Sequence, residues 1–558
     1  MRFVRSTFAA AACLLAAGAA ADKPTDAEIS ALVAKYSGTA IAERQDLHKN
    51  PELSNRETRT GELVAKRLKA LGIEVQSGVA HTGVVGILKG GKPGRTIAIR
   101  ADMDALPVIE QTDYPFKSTV HSNYLGQDVG VMHACGHDVH TAALLGTAAV
   151  LADIRDQLPG TVMFLFQPAE EGVPVGERGG ARMMVEDGVF AKIKPDAVIA
   201  FHTNGAPPDD EGDNERLGTV AYTSGPTYAA ATRWEATVKG RPAHGSTPHL
   251  SVDSIVTASE IVLALQTIRS RMLSPQSDNV LTTAIFRSGE RHNIIPESAF
   301  LGGTIRTFDD ATLETIETRM REIFDGYTKA AHATYELNFD TGHPVTVNNP
   351  ELTAKLVPTL ERVLGKDKVR AVPPIMGAED FSYFAQVVPG FYFRLGVVPD
   401  GKVSGGHHTP TFYASDDAVP IAMRLMSSLA VDYLNAGTPL RAASSSASRI
   451  SRRDATSRSS TPFRARYPRR AACACSTSTR ARIQTARCTR LSGRRKRWPR
   501  PHSAVPRLRR RSSTWRSTRA RTRAWARSMS ARSCRSRASR WTSASRSPAR
   551  SAGAWRRP

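Results

Sequence analysis

Apolar and polar positions alternate along the chain in blocks that predict helices and strands in turn. A helix-like stretch at residues 26–47 is followed by three near-continuous apolar, β-rich runs at residues 95–105, 160–171 and 195–204, and each run ends in polar residues. Strands that are apolar on both faces are typical of parallel sheets buried between helices. The pattern therefore predicts an α/β protein with a mostly parallel sheet flanked by helices.

Residues 225–340 show a different order of elements, which indicates a second unit inserted into the first. Strand-like or helix-like runs occupy residues 229–238, 252–272, 279–287, 298–308, 311–331 and 334–339. Their order, strand–helix–strand–strand–helix–strand, is the ferredoxin-like pattern. Polar residues suited to a functional site resume afterwards, in "GAEDFSYF" and "GGHHTPTF". We therefore expect one domain in two parts, residues 22–224 and 341–440, with the second domain between them.

Residues 1–21 have the organisation of a secretory signal peptide. Arg2 and Arg5 precede an apolar run at residues 8–17, and alanines at residues 19–21 offer a small-residue cleavage site. No later stretch has the roughly 20 apolar residues that a membrane span requires. We expect an exported protein, periplasmic or secreted, that has no membrane span once the signal is removed.

The charge of the chain is divided unevenly. Residues 441–558 contain 35 of the 76 Lys and Arg residues and one of the 52 acidic residues, which leaves 41 basic and 51 acidic residues in the body. This Arg/Ser-rich tail fits a disordered basic arm for nucleic acid or a membrane surface. Its few aliphatic residues argue against an additional folded domain. Because Arg, Ala, Ser, Pro and Trp dominate it abruptly, we favour an out-of-frame translation, and we expect no nucleic-acid binding by the body.

Cysteine usage singles out one position in the body. Of six cysteines, Cys13 lies in the predicted signal peptide and four lie beyond residue 440, so Cys135 is alone in the mature body. In an oxidising compartment such a thiol is free, paired between chains or bound to another group. Cys135 belongs to "VMHACGHDVHTAALLG" at residues 131–146, which adds three histidines and leads into a helix-like stretch.

Side chains of the kinds that bind metal fall at predicted strand ends and in neighbouring loops. They are Asp102 with Asp104, Cys135 with His137, Glu170 with Glu171, His202, and His407 with His408. In open α/β sheets, ligands bind beyond the carboxyl ends of the strands. A thiolate, imidazoles and carboxylates together suit zinc or a similar divalent ion. Any one histidine taken alone is better explained as a hydrogen-bonded surface residue, so the prediction rests on their shared location.

The two adjacent glutamates of "QPAEE" point in different directions, so one can bind metal while the other acts as a general base. The alternative for this pair is a solvated acidic loop. Asp102 and Asp104 lie on one face of their strand by alternation.

A rival reading makes Cys135 a nucleophile with His137 as its base. Residues two apart on a tight turn rarely align in that way, and acidic neighbours raise the pKa of a thiol.

Seven motifs along residues 26–436 resemble those of amidohydrolases related to hippurate hydrolase, aminoacylase and the hydrolases of auxin–amino-acid conjugates. The motifs are "RADMDALP", "MHACGHDVHTAALLG", "FQPAEEG", "KGRPAHGSTPH", "HNIIPE", "GTIRTF" and "GAEDFSYF". These enzymes belong to a large family of binuclear metallopeptidases that also includes carboxypeptidases and succinyl-diaminopimelate desuccinylase. The resemblance implies a metal-dependent hydrolase of linear amide bonds with two divalent ions per subunit, which would be Zn, Mn, Co or Ni.

The resemblance also implies roles for the matching residues. The family's metal ligands fall on Cys135, His137, Glu171, His202 and His408. Cys135 takes the bridging position that an aspartate holds in many relatives, and His408 fits the family's final His-Ser/Thr-Pro element better than His407 does. Glu170 matches the general base, and Asp104 matches the aspartate that orients a ligand.

The inserted unit resembles the family's dimerisation lid. His244 matches a histidine that reaches the partner subunit's site and stabilises the oxyanion, and Asn293 and Arg306 match positions that face the substrate. Arg306 would hold a carboxylate through two hydrogen bonds. The alternative is that it only pairs with Asp309 or Asp310. The resemblance implies a homodimer formed through the lid.

The activity implied by the resemblance is hydrolysis of N-acyl amino acids of the hippurate type, with water activated at the metal site and Glu170 as base. A small-peptide metallocarboxypeptidase or dipeptidase is the alternative within the family. A basic nucleic-acid-binding protein and an inactive metal-binding scaffold are alternatives from other classes. We expect His133 and His140 to orient ligands or to be structural. The loop at residues 173–180 is slightly longer than in relatives, which would reshape the rim of the pocket.

Overall fold

The computed structural model describes residues 23–174, 176–205 and 216–436. All of them belong to one of the two units into which the chain divides, Met1–Arg449. The predicted signal peptide and the basic tail lie outside the described residues.

Helices and strands alternate along the described residues. The α-helices are α1 (Asp26–Lys49), α2 (Thr58–Ala70), α3 (His137–Asp153), α4 (Gly180–Glu186), α5 (Ser254–Thr267), α6 (Asp310–Ala331), α7 (Pro350–Leu364), α8 (Ser382–Ala385) and α9 (Ala418–Asn435). The strands are β1 (Glu74–Val79), β2 (Gly83–Lys89), β3 (Lys92–Asp102), β4 (His121–Tyr124), β5 (Gln127–Gly130), β6 (Pro159–Gln167), β7 (Ala197–Asn204), β8 (Val220–Tyr222), β9 (Gly225–Tyr228), β10 (Ala230–Lys239), β11 (Ala243–His244), β12 (Asn279–Ser288), β13 (Ile294–Ile295), β14 (Ser298–Thr307), β15 (Thr334–His343), β16 (Thr346–Asn348), β17 (Val369–Ala371) and β18 (Gly390–Gly396). In this part of the chain, no helix combines the length and apolar character that crossing a bilayer requires.

The largest sheet has eight strands in the order β1-β2-β6-β3-β7-β18-β8-β17. Its central strands β6, β3, β7 and β18 run parallel, whereas β1 and β2 are antiparallel at one edge and β8 is antiparallel to β18. Strands β3, β6 and β7 occupy the three apolar runs of the sequence and are buried along most of their length. The predicted mostly parallel sheet flanked by helices is confirmed.

Helix α3 lies in the interior, where it contacts α1, α9 and the central strands. Every residue from His137 to Leu151 is buried, as expected for a helix that is apolar on all sides. Gly146 permits the close approach of α9, because a Cβ at this position would lie 2.5 Å from Met423 Sδ. The polar first turn of α3 is therefore held rigidly beside the end of β3.

Residues 230–343 form a separate antiparallel sheet in the order β12-β14-β10-β15. Helices α5 and α6 contact these strands and each other, and Trp234, Leu301 and Phe324 belong to the apolar core between them. Along the chain, the elements of this sheet and its helices follow the order strand–helix–strand–strand–helix–strand. Within the same segment, β11 and β13 form a short antiparallel pair of their own.

Candidate metal centre and active-site cavity

A cavity of about 630 Å³ is lined both by the carboxyl-end loops of the large sheet and by strands β10, β14 and β15. The predicted site residues that line it are Cys135, Glu170, Glu171, His202, Arg306 and His408. Glu170 and Glu171, just after β6, and His202, near the end of β7, come together because β6, β3 and β7 run parallel and their carboxyl ends meet at one edge of the sheet. The other predicted site residues, Asp104, His137, His244 and Asn293, do not line this cavity.

The turn that carries Cys135 requires glycine at its next position. Gly136 has a φ of +88°, and a Cβ there would lie 2.3 Å from Thr203 Oγ1. The same hydroxyl donates a hydrogen bond of 2.7 Å to the carbonyl oxygen of Cys135. The turn is thus fitted against β7, and this contact sets the position of Cys135 and of His137 at the start of α3.

Two histidines at this turn have Nδ1 bound to a backbone carbonyl oxygen, which leaves Nε2 as their second nitrogen. His137 Nδ1 donates to the carbonyl oxygen of Asp104 at 2.9 Å, and His202 Nδ1 donates to that of Thr203 at 2.6 Å. A carbonyl only accepts hydrogen bonds, so Nδ1 carries a proton in both rings and Nε2 is the nitrogen left to bind a metal. His202 Nε2 lies 3.4 Å from Cys135 Sγ. Backbone groups that fix the tautomer in this way are typical of metal-binding histidines.

These donor atoms fit a divalent cation. Ligand atoms of Cys135, His137 and Glu171 lie within 4.8 Å of one another, as do those of Cys135, His202 and His407. The buried His137 Nε2 has no hydrogen-bond partner among the described residues. A buried ring nitrogen without a partner beside sulfur and carboxylate atoms offers a ligand position, and this set of S, N and O donors suits zinc and related ions.

Both histidines of "GGHHTPTF" line the cavity. His408 Nε2 lies 3.1 Å from Glu171 Oε1, and His407 Nδ1 lies 3.4 Å from Cys135 Sγ. His408 has a φ of +63°, and Ala169, which precedes the glutamate pair, has a φ of +54°. Left-handed residues other than glycine store strain and cluster at functional sites. The preference for His408 as the ligand stays a prediction.

Burial and neighbouring negative charges shift the pKa values of the titratable groups at this site. Burial, together with the charges of Glu379 and Glu171, raises the pKa of Glu170 well above its ordinary value. Burial, Glu171 and Glu170 raise the pKa of the Cys135 thiol in the same direction. A cysteine nucleophile needs the opposite shift, so the environment argues against that reading. Burial lowers the pKa of His202 well below its ordinary value, which keeps the ring neutral and able to bind metal.

His140 stands behind the ligand atoms and has both ring nitrogens engaged. Its Nδ1 donates to Asp102 Oδ1 at 2.5 Å, and Thr203 N donates to its Nε2 at 2.8 Å. These bonds leave no lone pair for a metal, which supports a structural role. His133 is also buried, and burial lowers its pKa to about 4.

A buried network that the sequence did not reveal surrounds the general-base candidate. Arg100 contacts Asp102 Oδ2 at 2.8 Å, Glu379 Oε1 at 2.9 Å and Asp380 Oδ1 at 3.1 Å. Ligand-type oxygens of Asp102, Glu170 and Glu379 lie within 4.8 Å of one another. Nothing local in the sequence assigns a role to the two acids of "GAEDFSYF", and Arg100 lies within an apolar run.

Ser54 and Glu57, which the sequence did not single out, hold Asp104 and the loop of the two glutamates in place. Glu57 Oε1 accepts a hydrogen bond from Ala169 N at 2.9 Å, just before the glutamate pair. Ser54 Oγ donates to Asp104 Oδ2 at 2.8 Å, and Glu171 N donates to the same oxygen at 3.0 Å. Asp104 thus touches both the His137 ring and the glutamate loop, in keeping with a residue that orients ligands. No sequence signal marked Ser54 or Glu57.

The predicted lid residues separate into two locations. Arg306 on β14 lines the cavity, and burial lowers its pKa. Both oxygens of Asp309 accept hydrogen bonds from Thr312 at the start of α6, which disfavours the alternative pairing of Arg306 with this residue. His244 and Asn293 adjoin each other, with Gly245 N donating to Asn293 O at 2.8 Å, but they are exposed and do not line the cavity.

Comparison with known proteins gives the family. Residues 98–432 match peptidase family M20/M25/M40. The chain is 38% identical to thermostable carboxypeptidase 2 of Saccharolobus solfataricus over 395 residues, which cover 70% of this chain and 94% of that protein. It is 39% identical to an N-acyl-L-amino acid amidohydrolase of Geobacillus stearothermophilus over 327 residues, which cover 59% of this chain and 82% of that protein. The Bacillus subtilis YXEP protein, a dinuclear metal-binding peptidase, superposes with a TM-score of 0.60 at 31% identity and covers 72% of this chain and 99% of its own. The chain therefore belongs to peptidase family M20/M25/M40 and is a metal-dependent hydrolase of amide bonds.

Proposed function

We propose that this enzyme hydrolyses the amide bond of N-acyl amino acids. The observation that carries the proposal is the cavity in which Glu170 lies beside the cluster of metal-type ligands while Arg306 lines the same space. An arginine suits the carboxylate of an amino-acid product, because it donates two parallel hydrogen bonds. The similarity to an amidohydrolase of N-acyl-L-amino acids supports this substrate class.

The residues proposed to hold two divalent ions are Cys135, His137, Glu171, His202 and His408. Two such ions lower the pKa of water and stabilise negative charge on the reacting oxygen. Asp104 orients the set through His137 and the backbone of Glu171. The likeness to a dinuclear metal-binding peptidase supports the number of ions. Zn, Mn, Co and Ni remain the candidate metals.

Glu170 is the proposed general base. Its carboxylate takes a proton from the attacking water and later gives this proton to the leaving amine. Arg306 holds the carboxylate of the amino-acid half. We further propose that the protein is a homodimer in which His244 and Asn293 act on the other subunit's substrate, His244 by stabilising the oxyanion. Their exposed position away from the cavity of their own subunit supports this arrangement.

The decisive experiment is hydrolysis of a panel of substrates by metal-reconstituted protein, with metal content measured alongside. N-acetyl and N-benzoyl amino acids should be cleaved, and N-acyl compounds lacking the carboxylate should not. A preference for unblocked dipeptides would favour the second candidate, a small-peptide carboxypeptidase, which the likeness to thermostable carboxypeptidase 2 supports.

Glu170→Gln tests the base directly. We expect turnover to fall about 10²- to 10⁴-fold while two metal ions stay bound, because the variant keeps the shape of the side chain but cannot take the proton. Glu177→Gln is the matched control, since Glu177 belongs to the same loop but pairs with Arg56 at the surface. Turnover that survives in Glu170→Gln would show that another group is the base.

Export and the role of the tail are proposals of their own. We propose that the chain is exported and that the tail contributes nothing to catalysis. Fractionation of cells that express the full chain, with mass measurement of the mature N-terminus, should place the protein outside the cytoplasm and give Asp22 as its first residue. A chain ending at Thr438 should keep full activity, and any binding to DNA should disappear with the tail.

A further inference from the structure

The ring of His407 is held in one orientation beside the candidate ligands. Its Nδ1 lies 3.4 Å from Cys135 Sγ, and Gly205 N donates a hydrogen bond of 3.4 Å to its Nε2. The centre of the ring lies 5.0 Å from that of Phe412. Gly205 leaves no spare room, because a Cβ there would lie 2.7 Å from Phe412 Cε2. The imidazole is therefore fixed by contacts on three sides.

The location of the proton on this ring follows from its neighbours. A backbone N–H only donates, so His407 Nε2 accepts and carries the lone pair. In the neutral ring the proton then lies on Nδ1, the nitrogen that faces Cys135 Sγ. His202 has the opposite arrangement, because its Nδ1 donates to Thr203 O and its Nε2 lone pair faces the same sulfur, also at 3.4 Å. His407 therefore directs an N–H toward the sulfur of Cys135, whereas His202 directs a lone pair toward it.

We infer that His407 is a positioning residue that donates a hydrogen bond from Nδ1 to the Cys135 thiolate and is not itself a metal ligand. This inference rests on the proposed metal site, in which Cys135 binds the ions. A hydrogen bond draws electron density from a thiolate, so it weakens the donation of that sulfur to a metal. Removing the donor should make Cys135 a stronger donor, while the metal ligands themselves stay in place.

The test uses the full-length protein loaded with Co²⁺, because the thiolate-to-cobalt charge-transfer band reports on the donor strength of the sulfur. His407→Phe keeps an aromatic ring against Phe412 but removes the N–H. We expect it to bind two cobalt ions per chain, with its band shifted to lower energy. His407→Gln retains an N–H that can donate, so its band should lie closer to that of the unaltered protein. His408→Phe, which removes a proposed ligand, is the control and should lose cobalt.

The outcomes separate the inference from the site on which it rests. If the unaltered protein shows no charge-transfer band from sulfur, Cys135 is not a ligand and the proposed metal site fails. If the band is present but does not move in His407→Phe, the hydrogen bond is refuted and the metal site stands. Loss of a cobalt ion in His407→Phe, with full occupancy in His408→Phe, would make His407 the ligand and overturn the inference. Should His407→Phe not fold, His407→Leu takes its place in the same comparison.

Discussion

Replacing Gly136 by alanine tests how the turn between Cys135 and His137 is held against the sheet. A single left-handed residue other than glycine costs roughly 1–2 kcal/mol. The new Cβ would lie 2.3 Å from Thr203 Oγ1, so the hydroxyl must move and its hydrogen bond to Cys135 O is lost. Losing that bond costs about 1–3 kcal/mol when the carbonyl is left buried and unpaired. The expected total is about 2–5 kcal/mol.

Gly126 provides a matched control for the backbone contribution. Its φ is +81°, close to that of Gly136, but an added Cβ would meet no atom within 4 Å. Gly126→Ala should therefore cost only the conformational strain of roughly 1–2 kcal/mol. Urea unfolding of the metal-free proteins measures both values. Metal titration should show weaker binding in Gly136→Ala alone, because Gly136 lies between Cys135 and His137.

A third variant makes the explanation refutable. Thr203→Ala removes the hydroxyl and methyl group that the new Cβ would strike, so in this background Gly136→Ala should cost little more than Gly126→Ala. The difference between the two backgrounds is the coupling energy between positions 136 and 203. If Gly136→Ala costs the same in both backgrounds, or no more than Gly126→Ala, contact with Thr203 is not the reason for glycine.

Three further perturbations address other parts of the molecule. Arg100→Met leaves three buried carboxylates without their cation and should cost about 3–5 kcal/mol in urea unfolding; an unchanged midpoint would contradict the ion cluster. Burial alone would lower the pKa of His48, but its two carboxylate neighbours raise it above its ordinary value. The charged ring therefore stabilises the fold fully below the unfolded pKa of about 6.5, and this contribution is lost as the pH rises through the folded pKa. The stability difference between the unaltered protein and His48→Gln should accordingly shrink as the pH increases, and a growing difference would reverse the sign of the argument. EDTA should abolish activity and Zn²⁺, Mn²⁺ or Co²⁺ should restore it, whereas iodoacetamide should spare the loaded enzyme because the Cys135 thiolate would be bound to metal; resistance to EDTA together with sensitivity to iodoacetamide would favour the thiol nucleophile.

The parts of the site that the sequence predicted are those that follow directly from strand order. Strands β3, β6 and β7 were recognised because burial on both faces leaves near-continuous apolar runs. Asp102, Glu170 and His202 lie at or just beyond the ends of these runs, so knowing the strands located the residues. Parallel pairing then brings the ends to one edge without further information. The order of strands and helices in residues 230–343 could also be predicted from the alternation of apolar positions and the turns. The role of this segment as a dimerisation lid stays a prediction.

The buried charges could not be predicted because their partners are distant in the chain. Arg100 meets Glu379 across 279 positions, and Glu57 meets Ala169 across 112. Burial of an arginine is stable only when carboxylates surround it, but that requirement leaves no local pattern. In the sequence, Arg100 only interrupts an apolar run, and its carboxylate partners are apparent only in the folded chain. The acids of "GAEDFSYF" resembled site residues, and only the folded chain shows that they hold Arg100.

Thr203 shows how the end of one strand determines the chemistry of several side chains. Its N–H donates to His140 Nε2 at 2.8 Å, its carbonyl oxygen accepts from His202 Nδ1 at 2.6 Å, and its hydroxyl donates to Cys135 O at 2.7 Å. The first bond places the proton of His140 toward Asp102, and the second leaves His202 Nε2 facing Cys135 Sγ. Two of these three bonds belong to the backbone, so no substitution of the Thr203 side chain removes them. The backbone of Thr203, near the end of β7, therefore determines which ring nitrogen carries the proton in both histidines.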